Sequence, residues 1–92
     1  MAVAFASALV SGNGAIVSGN NMKSCKRVSE GQYLLTYQTP FSSPPGVSAV
    51  TMDFAVATVN IMADNTCEVI LRKGAAGTYM DGGFSFTAVG NS

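Results

Sequence analysis

Five carboxylates, five cations, two cysteines and no histidine make up the ionisable and thiol chemistry open to this chain of 92 residues, tyrosines aside. Without histidine the commonest general base and the commonest zinc ligand are missing. A nucleophilic triad is therefore out of reach, and the lysine and N-terminal variants of that device lack supporting motifs. Asp53, Asp64 and Asp81 are the candidates for a glycosidase-type carboxylate pair. Asp64 and Asp81 stand in turn contexts, where aspartate ordinarily bonds its own backbone, so the sequence predicts no enzyme. Asp64, Asn65 and neighbouring carbonyls have the oxygen chemistry of a calcium site, but a turn explains the same residues, and no metal or cofactor is expected. "SGNG" and "GAAG" are not phosphate loops, since neither precedes a helix and no G-K-[ST] follows. Cys25 and Cys67 are not in a C-x-x-C pair. They permit one disulfide or two buried thiols, and Cys67 lies in an apolar strand pattern where a small hydrophobe suffices.

Binding is the more open chemistry. A sugar site on a small β module uses an aromatic face with neighbouring donors and acceptors, and Tyr79, Asp81, Asn65 and Arg72 have those residue types near loops. The plainer reading of the same residues is that Tyr79 packs on a sheet edge and Asp81 caps a turn. Net charge is zero and no basic stripe exists, so nucleic acid is a poor partner. Lys23, Lys26 and Arg27 read as a solvated hairpin. The chain has no tryptophan for stacking on a sugar.

Elements that position these residues must be strands. No window carries the i, i+3, i+4, i+7 apolar spacing of a capped helix, whereas short β-branched and aromatic runs recur between Gly, Asn, Asp and Pro at the spacing of a sandwich or barrel. Tyr33, Leu35 and Tyr37 share one strand face; Phe84, Phe86 and Ala88 share another. Further strands are predicted over 15–18, 23–28, 47–54, 56–62 and 67–72. Asn13-Gly14 suits a type I′ hairpin, 19–21 reads as a turn, and Gly31 is free to take positive φ. The expectation is one all-β domain over 1–92, an antiparallel sandwich of six to eight short strands.

Three prolines, Pro40, Pro44 and Pro45, fall between two of the best strand patterns. Proline cannot donate to a ladder and pushes its predecessor to extended backbone. This segment is thus predicted to be a stiff crossing from one sheet to the other, with Phe41 plugging the end of the core. The surrounding "GQYLLTYQTPFSSPPGV" resembles the G-x-Y-x-(V/L)-x-(F/Y)-x-x-P-F-x-x-x-P-x-V segment of small β-sandwich modules at the C-termini of phage and prophage tail-fibre or tailspike proteins. "MDGGFSFTAVG" is similar to the D-x-x-F-x-F-x-A-(I/V)-G close of those modules. "DNTCEVILRKGAAGTYMD" falls where they carry a T-G-F-x-V-x strand and a D-containing turn, with Cys67 in the aromatic position as a departure. The likeness covers about residues 28–90 and rests on fold-maintaining positions. The P-F-x-x-x-P element is also similar to H-type lectins, six-stranded sandwiches that trimerise and bind N-acetylgalactosamine-type sugars, usually with a tryptophan that this chain lacks.

The resemblance implies a homotrimeric knob for receptor binding and adhesion to surface glycans, in a virion tail or extracellular setting; a free-standing lectin and a ligand-free trimerisation cap are the alternatives. Composition points the same way on assembly. A chain this size buries only roughly 60% of its unfolded surface alone, and with 11% charged residues its surface is unusually neutral and apolar, which marks interfaces. The N-terminal "MAVAFASALV" lacks the positive n-region of a signal peptide and is too short to span a bilayer. Its two faces, Ala2, Ala4, Ala6, Ala8 and Val3, Phe5, Ser7, Leu9, are both small or apolar, as expected of a strand or arm over 1–10 at a subunit interface. A start at Met1 without an upstream shaft suggests a small separate gene product or an excised domain.

Overall fold

The computed structural model describes residues 3–52, 55–60, 65–74 and 77–91, with the backbone alone at Ile61. Asp53, Asp64 and the arm residue Ala2 lie outside the described residues, as do the ends of the strands predicted over 47–54 and 56–62.

The chain forms eight strands: β1 (Val3–Val10), β2 (Ile16–Asn20), β3 (Met22–Ser29), β4 (Gln32–Tyr37), β5 (Gly46–Thr51), β6 (Val56–Ile61), β7 (Thr66–Arg72) and β8 (Phe84–Asn91). They make two antiparallel four-stranded sheets, sheet I in the order β2-β1-β8-β5 and sheet II in the order β3-β4-β7-β6. No helix occurs among the described residues.

Period-2 alternation decides which side chains meet between the sheets. Sheet I contributes Ala6, Ala8, Val10, Phe84, Phe86 and Ala88; sheet II contributes Tyr33, Leu35, Tyr37, Cys67, Val69 and Leu71, and Phe41 completes this single buried cluster. Size is matched across the ladder. Ala8 of β1 pairs with Phe86 of β8, so a small residue leaves room for the ring beside it. Phe84 meets Tyr33 edge-on at 5.1 Å between centroids, the favoured arrangement of two quadrupoles.

The proline segment does what its chemistry predicts. It carries the chain from β4 in sheet II to β5 in sheet I. Phe41 is buried and meets Tyr37 edge-on, with centroids 5.0 Å apart. Asn21 secures the crossing from the other side. Its amide accepts from Thr39 N at 2.7 Å and donates to Thr39 O at 3.2 Å. Asn21 itself takes positive φ, 57°, where the chain passes from β2 to β3.

Two local expectations are corrected. The turn after β1 is not type I′, because Asn13 has no positive φ; only Gly14 does, at 91°. Gly14 N donates to Ser11 O, and Ser11 N to Ala15 O, which is a three-residue loop with a left-handed third position. Residues 19–20, expected in a turn, continue β2 instead, because Ala8 and Ser7 pair with Gly19 and Asn20. A side chain at Gly19 would strike Ser7 O at 2.8 Å, so glycine keeps this edge strand close.

Candidate functional site

Of the residues expected to form a sugar site, Arg72, Tyr79 and Asp81 are positioned at one end of sheet II and Asn65 at the other. Asn65 O accepts from Tyr37 N, at the end of β4, while Arg72 closes β7 and bridges to Tyr79. The four do not converge. β7 spans seven residues, which separates its two ends by about 20 Å at the strand rise.

Asp81 is held from several sides. Arg27 Nε donates to its two oxygens at 2.9 and 3.0 Å, and Arg27 Nη2 lies 2.8 Å from Oδ2. Gly31 N donates to Oδ1 at 2.8 Å. The Tyr33 hydroxyl, 3.3 Å from Oδ1, gives its proton to the nearer Gly12 O at 2.6 Å and accepts from Gly82 N at 3.3 Å. One carboxylate thus ties together β3, the β3–β4 turn and the approach to β8, with the Tyr33 hydroxyl of β4 beside it. The Arg27 hydrogen bonds, then that from Gly31, hold the Asp81 carboxyl below the usual carboxylate range. Burial, first of all, pushes the Tyr33 phenol up. With Arg27 and Gly31 on its oxygens, Asp81 acts as a structural pin between segments 50 and more positions apart.

Sequence reasoning placed Arg27 in a solvated hairpin and missed its partner. The two residues are 54 positions apart, and nothing in the local pattern of either points to the other. The remaining pair, Arg72 and Tyr79, is outward-facing. Tyr79 is 40% exposed, and the Arg72 guanidinium carbon lies 5.1 Å from its ring centroid, within cation–π range. Gly31 makes this end possible. Its φ is 71°, and a Cβ there would sit 2.6 Å from Leu71 O and 2.9 Å from Met80 N.

Cys25 and Cys67 are free. Both belong to sheet II, and Leu35 of β4 pairs with each of them. An intervening strand puts two such positions about 10 Å apart, beyond the reach of a disulfide. Burial raises both thiols to about 11. Among the described residues no group of three or more metal-ligating side chains forms.

The distribution of charge is the wider feature. Among the described residues, charged side chains sit on β3 (Lys23, Lys26, Arg27), on β7 (Glu68, Arg72) and on the connections at Glu30, Lys73 and Asp81. The four strands of sheet I hold none. Its outer face carries a shallow depression of about 400 Å³ bordered by Ser7, Leu9, Ser18, Asn20, Ser85 and Thr87. Compared with protein-family models, curated proteins and solved structures, the chain finds no match.

Proposed function

We propose that this domain is the receptor-binding and trimerisation knob of a phage-tail-like fibre, acting outside the cell or on a virion tail and adhering to surface glycans without catalysis. The observation that carries the reading is the Arg72–Tyr79 pair. A ring that is 40% exposed with a guanidinium over it offers a sugar apolar ring surface together with hydrogen-bond donors. Three such weak sites on one rigid particle gain avidity that none has alone. The resemblance of the "TPFSSPP" and "DGGFSFTAVG" segments to tail-fibre modules supports the setting. A glycan array probed with the purified protein and with Tyr79→Ala tests the reading. Binding that disappears in the variant is the expected result; an empty array overturns the adhesion role.

A ligand-free trimerisation cap is the second reading. It is favoured by the engagement of Asp81 with Arg27 and Gly31, which leaves the end of the sandwich with fewer free acceptors for a sugar than its sequence promises. An empty array together with an intact assembly is its signature.

A further inference from the structure

We infer that the outer face of sheet I is the surface through which copies of this chain assemble, and that sheet II is turned outward. The inference rests on the oligomeric reading above and names the contact face, which that reading leaves open.

Three features of this face point to another copy of the chain as its occupant. The first is charge. Sheet I has no ionisable side chain in any of its four strands, while sheet II and its connections hold Lys26, Arg27, Glu68 and Arg72. A charged partner has nothing here to steer it or pair with it. Two copies meeting on this face bury no unpaired charge, the costly event in any interface. Meeting through sheet II would instead take Lys26 and Glu68 out of water, a cost repaid only where each finds an opposite charge in good geometry.

The second is the chemistry of the outward residues. Phe5 is paired with Val89 in the ladder, and they are 56% and 51% exposed; Val50 of β5 is 68% exposed. Between these lies the hydroxyl row Ser7–Thr87–Ser48, one residue from each of three strands. Lipid would leave those hydroxyls without partners. A hydroxyl both donates and accepts, so a row of them is complementary to itself. Phe5 projects at one end of the face, and the depression beside Leu9 and Ser18 lies toward the other. The same surface therefore carries both a projection and a recess.

The third is area. The four strands of sheet I have five to eight residues, which makes a sheet roughly 19 Å wide and at most about 23 Å long. The flat area is thus about half of the ~800 Å² that one partner gives to a standard interface, and side chains standing above the pleat add to it.

The test compares wild type, Thr87→Arg on the outer face of sheet I and Thr58→Arg on the outer face of sheet II by light scattering. Both threonines are exposed in the single chain, so neither change burdens its fold. The expected result is that wild type and Thr58→Arg share one multiple of the chain mass, and that Thr87→Arg falls to the mass of one chain. An oligomer that survives Thr87→Arg and is broken by Thr58→Arg overturns the face and keeps the assembly. A wild type of single-chain mass overturns both. Should Thr87→Arg not fold, single cysteines decide in its place: Thr87→Cys should be shielded from a bulky maleimide in the assembled protein, and Thr58→Cys should be labelled freely. Equal labelling of the two overturns the assignment.

Discussion

At the scale of single residues, the ring cluster at the proline crossing is the clearest test of how this small core holds. Phe41 is buried, and its ring lies where a Cβ on Gly90 would come within 2.9 Å. The wall around it cannot collapse far, so truncation leaves a cavity as well as losing transfer energy. Phe41→Ala is expected to cost about 3–5 kcal/mol, read as a fall in the denaturant midpoint; a melting curve that overlays wild type would mean the ring packs elsewhere. Tyr37 should behave in the opposite way. Its hydroxyl is buried beside the Cys67 thiol, and no hydrogen bond of ordinary geometry serves it among the described residues. An unserved buried hydroxyl costs about 1–3 kcal/mol, so Tyr37→Phe should match or exceed wild type in thermal stability. A clear loss would show that the sulfur contact is a true partner. The thiols themselves should be silent in the native state, being half-buried or buried with raised pKa, about 11 in each case. Both should react with a thiol reagent after unfolding without reductant. Zero titratable thiols would contradict the spacing that β4 imposes.

At the scale of elements, Asp81 joins pieces of chain that share no sequence neighbourhood. Its carboxyl is held low chiefly by Arg27, so the sign of the pH effect is fixed. A depressed native pKa contributes stability that is present above the unfolded value, about 3.9, and is lost as pH falls through the native one. Wild type should therefore exceed Asp81→Asn at neutral pH, and the difference should shrink on acidification below about pH 4. A gap that is constant with pH would mean the variant acts through packing alone. Because both partners are more than one-third exposed, solvent screens the ion pair and keeps its effect modest.

What was legible in the sequence follows from the range of each interaction. Alternation is local, so the faces of β4 (Tyr33, Leu35, Tyr37) and β8 (Phe84, Phe86, Ala88) could be read directly, as could the proline crossing, whose geometry is covalent. Turn type at Asn13-Gly14 was not, because the ladder register of β1 and β2 selects the three-residue loop. Nor was the bond from Arg27 to Asp81, nor the separation of Asn65 from Arg72 by the length of β7. Those depend on which strands pair, and hydrophobic pattern is alike for several pairings.

At the scale of the whole molecule, the two sheets differ in charge: the strands of sheet I carry none, and those of sheet II carry Lys23, Lys26, Arg27, Glu68 and Arg72. A neutral face is suited to contact with its own kind. A face with charges and the Arg72–Tyr79 edge is suited to water and to ligands. The division makes a claim about salt that is independent of any mutation. If the subunits met through Lys26, Arg27, Glu68 or Arg72, raising ionic strength would screen the contact, since at 1 M the Debye length is only about 3 Å. If they meet through Phe5, Val50, Val89 and a row of hydroxyls, salt has no charge pair to screen. Excluded salts such as sulfate then strengthen the burial. The assembled mass in light scattering is thus expected to be unchanged between low and molar sodium chloride. The melting temperature should rise with protein concentration, as it does when association is linked to folding, and rise again in sulfate. Dissociation by sodium chloride would assign the contact to the charged sheet and leave the neutral one facing solvent.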